Sequence, residues 1–343
     1  MYQTIGMEMP NDFLVIAMPG YDGGAYYKIA RNIPKIFNPT AWSSLREHET
    51  SPYNYQRILL PFLGYIFAVG QKGHIAASMI LVNFMAIVLT FVIMQFESKR
   101  PSENIYSLAL CLSPAATIAM HFVLAEPLSL LLTTFVLLRW EKWKTLDTID
   151  SIALSLLVLS REINIVFVCF LAAYMIGTRR SKEVAMLIMP YLVFMTWHLI
   201  IYSIFGTIPF LMSTAAHALP GKAIIEIVLA VKDYNSHTLS SIVLFLGFVV
   251  PGWIWTAQKV YKTRGTSLLP IGAFTFLSLM LIMPPLMWGS ITSIGRIITP
   301  VYPLTIIAYR QEDSRLTRIL AMCCGCIGVG ALLGLSLIHH PYI

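Results

Sequence analysis

Long apolar runs separated by short basic loops constrain this chain more than any other feature. The runs lie near residues 75–96, 105–122, 184–206, 237–258, 267–286, 292–309 and 316–338. A bilayer core about 30 Å thick takes about 20 residues of helix to cross. Two further apolar stretches are compromised: 125–139 by its length, and 151–177 by the "SREIN" at 160–164. Composition points the same way. The chain is 57% hydrophobic and 12% charged, with a mean hydropathy of +0.71, whereas soluble domains carry about 25% charged residues. The 343 residues leave room for about ten spans. The expectation is one all-α integral membrane domain over 1–343.

Basic residues orient the spans. "FESKRPSEN" (96–104), "RWEKWK" (139–144), "TRRSKE" (178–183), "QKVYKTRG" (258–265) and "RQEDSRLTR" (310–318) together hold 14 of the 24 Lys and Arg residues. Cytoplasmic loops concentrate such residues, so the net charge of +7 signals topology and no nucleic-acid partner. All five loops can be inside only if 105–139 and 151–177 are hairpins. Their outer tips are then "MHFVLAEP" and "SREIN". The loop 205–237, the stretch 287–296 and the C-terminal "HHPYI" also fall outside. Charges embedded in apolar sequence gather on that side: Glu126, Arg161, Glu162 and Arg296, with Lys222 and Lys232 in the long outer loop. Each such charge near the bilayer costs about 2.5–3.5 kcal/mol on insertion scales. Structural ion pairs at span ends would account for single residues. The set together points to a polar cavity on the outer face.

Residues 57–70, "RILLPFLGYIFAVG", decide where the N-terminal segment lies. The stretch is too short to cross, and Pro61 and Gly64 weaken it as a helix. If it lies flat in the interface, Asp22 and Arg57 join the other charges outside. That reading is preferred, and it makes 1–73 an external segment with interfacial helices ahead of a bundle over 74–343. It leaves the N-terminus outside with no span to carry it there. "MYQTIGMEMPNDF" lacks the basic start of a secretory signal.

Taken in order, "YDGGAYYKIARN", "YNYQRILLPFLGY", "LAEPLSLLL", "LSREINIVF" and "GRIITPVYPL" resemble the GT-C-type membrane glycosyltransferases, especially bacterial members tied to cell-surface glycopolymers. The resemblance implies a multi-span fold in the bacterial inner membrane. It implies a first external loop with a catalytic acid, and a sugar donor carried on a polyprenyl phosphate. The acceptor would be a glycan, lipid or protein. Asp22 matches the family's loop acid; Arg57, Glu126, Arg161, Glu162 and Arg296 fall on the polar positions of the other motifs. Two departures stand out. Members often show paired acids in the first loop, whereas Gly23 and Gly24 follow Asp22. A first span normally precedes that loop, which suggests a chain starting downstream of its natural start.

The chemistry of such a transfer assigns roles. An acceptor hydroxyl must lose a proton as it attacks, and one carboxylate serves as general base; Asp22 is the candidate. Charge building on the leaving phosphate suits arginine, which donates bidentately and does not titrate away. Arg57 and Arg296 are chosen, with Lys222 a weaker choice. Glu126, Arg161 and Glu162 would organise the site. Tyr26, Tyr27 and Trp288 could contact sugar or anchor at the headgroups. No cofactor is implied, and a divalent metal beside Asp22 stays open. A glycosidase would need two carboxylates across the bond, and Asp22 with Glu126 or Glu162 could supply them. A transporter or flippase and a polymerase or ligase of lipid-linked glycans are the other readings. The five cysteines read as small apolar span residues and His198 as a hydrogen-bonded core histidine.

Overall fold

A computed structural model describes residues 22–46, 50–209, 241–281, 291–297 and 299–339. Among these residues there is helix and turn but no strand. The N-terminal segment forms short helices: α1 (Asp22–Arg31), α2 (Ile33–Ile36), α3 (Trp42–Arg46) and α4 (Leu59–Phe67). Then follow α5 (Ile75–Phe96), α6 (Asn104–Cys111), α7 (Pro114–Phe122), α8 (Glu126–Trp143), α9 (Thr148–Ser160) and α10 (Asn164–Gly177). The rest are α11 (Ser181–Met186), α12 (Ile188–Phe205), α13 (Val250–Lys262), α14 (Leu268–Leu281), α15 (Ile291–Ile297), α16 (Val301–Glu312) and α17 (Arg315–His339).

Four segments are long and apolar enough to cross a membrane: Lys72–Phe96, Ser181–Phe205, Ser241–Lys262 and Arg315–Gly334. A fifth exists if α6 and α7, bent by 44°, act as one crossing. This suits a multi-pass membrane protein, but the described residues do not supply the ten spans expected. The reasons are local. Pro114 starts α7 afresh after Ser113. Pro300 sits at the N-cap of α16, so 292–309 is two helices and not one run. Helices α9 and α10 have 13 and 14 residues, about 20 Å at 1.5 Å per residue, short of a full crossing. Helix α4 has nine and does not cross either. A π-helical turn at Phe245–Val249 precedes α13, where Pro251 would otherwise collide with the carbonyl four residues back.

Turns join α7 to α8 and α9 to α10 at 123–125 and 161–163, where the charge pattern places the hairpin tips. The basic loops meet one another. Lys142 pairs with Glu97 at 3.1 Å, Arg180 donates to the Lys144 carbonyl, Arg100 lies 3.7 Å from Asp313, and Lys259 pairs with Glu312 at 2.7 Å. All five basic loops therefore belong to one end of the bundle. Helix α8, about 27 Å long, runs from Glu126 to that end.

A continuous core extends from Tyr26 on α1 to Ala331 on α17. Beside it, Ile29, Ile33, Ile36, Leu45, Tyr55 and Ile58 pack on Trp197, Ile201 and Ile204 of α12. This smaller cluster docks the N-terminal helices. Polar contacts fix its register: Trp197 Nε1 donates to the Tyr55 carbonyl at 2.9 Å, and His198 Nε2 lies 3.1 Å from Gln56 Oε1. The other His198 nitrogen faces the Phe194 carbonyl at 2.9 Å, so both ring nitrogens have partners.

Candidate functional site

Asp22, Arg57, Glu126, Arg161, Glu162 and Arg296 are far apart in sequence and form one hydrogen-bonded network. Each is delivered by the end of an element. Asp22 opens α1, where a carboxylate complements the helix dipole. Its approach depends on Gly23, because a Cβ there would lie 2.1 Å from the Phe122 carbonyl oxygen. A Cβ at Gly24 would meet nothing within 4 Å. Only the first glycine lets α1 seat against the α7–α8 turn. Val123 in that turn is left-handed at φ 55°, an outlier for a β-branched residue. Glu126 starts α8 just beyond it, ahead of Pro127.

Arg57 is the hub. Its Nη1 donates to Asp22 Oδ2 at 2.7 Å and to the Tyr26 hydroxyl at 3.2 Å. Its Nε and Nη2 fork onto Glu162 Oε2 and Oε1 at 2.8 and 2.7 Å, and Nη2 also meets the Tyr53 hydroxyl at 2.8 Å. All five guanidinium N–H groups are therefore engaged. Tyr53 in turn donates to Glu162 Oε1 at 2.9 Å. Sequence reading did not single out Tyr53. Its place one helical turn before Arg57, in "YNYQR", was the available signal.

The second half of the network centres on Glu126. Its Oε1 forms an ion pair with Arg161 Nη1 at 2.9 Å and accepts from Arg296 Nη1 at 3.3 Å. Arg296 Nη1 also lies 3.3 Å from Asp22 Oδ2, which joins the two halves. Arg161 Nη1 donates to the Arg296 carbonyl at 2.6 Å. With Thr299 Oγ1 on the same carbonyl at 2.9 Å and the Tyr302 hydroxyl on the Gly295 carbonyl at 2.6 Å, it satisfies the C-terminal turn of α15. Beneath Glu126 and Arg161, Ser129, Ser160 and Asn164 form a buried polar cluster joining α8, α9 and α10.

Exposure separates the members. Side chains of Arg57, Arg161 and Glu126 are buried at 4%, 3% and 1%. Asp22 and Arg296 are more open, at 24% and 15%. Burial raises the Asp22 pKa, but the charges of Arg57, Arg296 and Arg161 outweigh it and hold the carboxyl below its ordinary range. Burial likewise works against ionised Glu162, and Arg57 overcomes it, so its carboxyl is held far below the usual range. Both Asp22 contacts fall on Oδ2. Among the described residues no hydrogen bond ends on Oδ1.

The aromatic candidates fare differently. Tyr26 was chosen as a possible sugar contact; instead its ring is buried in the core and its hydroxyl supports Arg57. Tyr27 is half-buried, with the Arg31 guanidinium 5.7 Å over its ring. Lys222 and Trp288 lie outside the described residues. Among the described residues no group of three or more His, Cys, Asp or Glu side chains is placed to hold a metal ion.

With three carboxylates and three guanidiniums, the network balances its own charge. It offers one fixed, ionised carboxylate, flanked by arginines, with an oxygen that accepts no hydrogen bond among the described residues. No protein-family model, curated protein or solved structure matches the chain.

Proposed function

We propose that the protein transfers a sugar from a polyprenyl-phosphate donor to an acceptor hydroxyl on the outer face of a cell membrane. The observation that carries this reading is the asymmetry of Asp22: Oδ2 is fixed between Arg57 and Arg296, while Oδ1 accepts no hydrogen bond among the described residues. In the transfer, the acceptor hydroxyl gives its proton to Asp22 Oδ1. Its oxygen forms the new bond to the anomeric carbon. The bond from that carbon to the phosphate oxygen breaks, and its electron pair stays on the phosphate. Arg296 stabilises that charge, and direct displacement inverts the anomeric centre. Preorganised cations of this kind act on the transition state more than on the ground state.

A glycosidase fits less well. It needs a second carboxylate free to act. Glu126 is buried, and both oxygens of Glu162 are engaged by Arg57. A purely structural lock of the helix ends is the other reading, favoured by the internal charge balance. The test is a transfer assay with purified protein and a radiolabelled polyprenyl-phosphate sugar. The wild type should form product, and Asp22→Asn should lose at least about 100-fold, the lower bound for losing a general base, while still unfolding cooperatively. Unchanged transfer by Asp22→Asn would remove it as the base. No transfer by wild type across sugar donors would leave the structural lock.

A further inference from the structure

The sequence suggests Arg57 as a ligand of the donor phosphate, and its surroundings speak against that role. A guanidinium offers an oxyanion two edges, Nε with Nη2 and Nη1 with Nη2. On Arg57 both are filled. Glu162 takes the first edge with its two oxygens, at 2.8 and 2.7 Å. On the second, Nη1 serves Asp22 at 2.7 Å and Tyr26 at 3.2 Å, and Nη2 serves the Tyr53 hydroxyl at 2.8 Å. A phosphate would have to evict one of these groups. Evicting Glu162 leaves a carboxylate that is only 12% exposed without its partner. Evicting Asp22 releases the base. Replacing a tyrosine hydroxyl seats the phosphate against two carboxylates.

Tyr53 holds this arrangement together. Its hydroxyl accepts from Arg57 and donates to Glu162 Oε1 at 2.9 Å. Its ring lies 5.1 Å from the Arg57 guanidinium carbon, within reach of a cation–π contact. Both residues belong to one turn, Pro52–Gln56, with Arg57 at its C-cap. Trp197 and His198 fasten that turn to α12, and the Gln56 amide donates back to the Tyr53 carbonyl at 3.0 Å. Resting on the transferase reading, we propose that Arg57 is a positioning residue of the base and not a ligand of the donor phosphate, and that Tyr53 and Glu162 make it one by filling the rest of its guanidinium. Arg57 pins Asp22 Oδ2, so that Oδ1 meets the acceptor hydroxyl in one orientation. Tyr53 and Glu162 act on Asp22 through Arg57. Burial works against the ionised Asp22, and Arg57 is foremost among the charges that outweigh it, ahead of Arg296 and Arg161.

The test uses the full chain in detergent micelles, with aspartate labelled at the side-chain carboxyl carbon and titrated by NMR. The Asp22 signal is the one missing from Asp22→Asn. Arg57→Gln should raise the pH at which Asp22 titrates by at least about one unit, with Arg296 and Arg161 limiting the shift. If that variant fails to fold, Arg57→Lys replaces it. An ammonium cannot fork onto Glu162 and still reach Asp22, so the midpoint still rises. No rise overturns the positioning role. Tyr53→Phe, which keeps the ring, should raise the midpoint by a smaller amount, and by nothing once Arg57 is replaced. A flat response, or a shift that persists without Arg57, overturns the part assigned to Tyr53. Calorimetry with farnesyl phosphate and inorganic phosphate tests the other half. Arg57→Lys keeps the charge and removes the fork, so affinity for either probe should stay within about twofold, whereas a direct ligand would lose about tenfold or more and overturn the proposal. If the wild type binds neither probe, the transferase reading loses its donor, and the Asp22 titration still decides the role of Arg57.

Discussion

Helix α8 begins in one set of charges and ends in another, and the two sets are built differently. At its start, Glu126 shares one oxygen between Arg161 and Arg296, inside a network of six charges. At its far end, Glu141 meets Arg310 at 3.2 Å and Lys142 meets Glu97 at 3.1 Å, beside separate pairs such as Lys259–Glu312. Most charges at the far end keep contact with solvent. Such pairs contribute about 0–1 kcal/mol each. In the network around Asp22 the side chains of Arg57, Arg161 and Glu126 are buried, so these members depend on one another and on their neighbours in the network. Buried ion pairs often stabilise less than apolar side chains of equal volume would. A network of six charges is therefore a poor choice for stability alone, and the chemistry proposed for Asp22 gives it a reason.

The sharpest way to break this contrast is Arg57→Gln. It removes the hub and strips Asp22 and Glu162 of their shortest partner, at an expected cost of about 3–5 kcal/mol in unfolding of the micellar protein. A loss below about 1 kcal/mol would make the two ends alike. Next comes Gly23→Ala. The new Cβ meets the Phe122 carbonyl, a backbone atom that cannot step aside, so about 1–3 kcal/mol should be lost. Gly24→Ala should be neutral or stabilise by about 0.5–1 kcal/mol. Equal effects at the two glycines would refute the close approach of α1 to the α7–α8 turn.

A pH series sharpens the contrast further. The folded pKa values of Asp22 and Glu162 lie below their unfolded values, near 4. Their contribution to stability is therefore complete above that range and is lost as pH falls through the lower folded values. Stability due to the network should be flat from neutral pH to about pH 5 and decline below it. A decline starting near pH 6.5 would contradict the depressed values. The smallest effect belongs to the far end: Lys142→Gln should stay within about 0.5 kcal/mol of wild type.

Much of this was legible in the sequence because a bilayer leaves few options for the backbone. Apolar runs and basic loops located α5, the turns at 123–125 and 161–163, and four of the six charges, Glu126, Arg161, Glu162 and Arg296; Asp22 and Arg57 joined them through the flat reading of 57–70 and the resemblance. Which of the six touches which was not legible. Asp22 and Arg57 are 35 positions apart and Arg161 and Arg296 are 135 apart, and pairing over such distances is decided by tertiary packing. Gly23 registered only as the absence of a second acid, because the carbonyl that demands a glycine there lies on α7. The break before α16 had a local signal in Pro300, but hydropathy averaged over 292–309 concealed it. Hydropathy likewise counted the short arms α9 and α10 as crossings, since it registers apolarity before length.

Everything proposed for the network rests on its facing outward, and Gly24 offers the direct test. A Cβ there meets nothing within 4 Å, so a cysteine should be tolerated two residues from Asp22. In a background lacking the five native cysteines, Gly24→Cys in intact cells should react with a membrane-impermeant thiol reagent, while Lys144→Cys in a basic loop should react only after permeabilisation. Labelling of residue 24 only after permeabilisation would place the network on the cytoplasmic face and contradict the account.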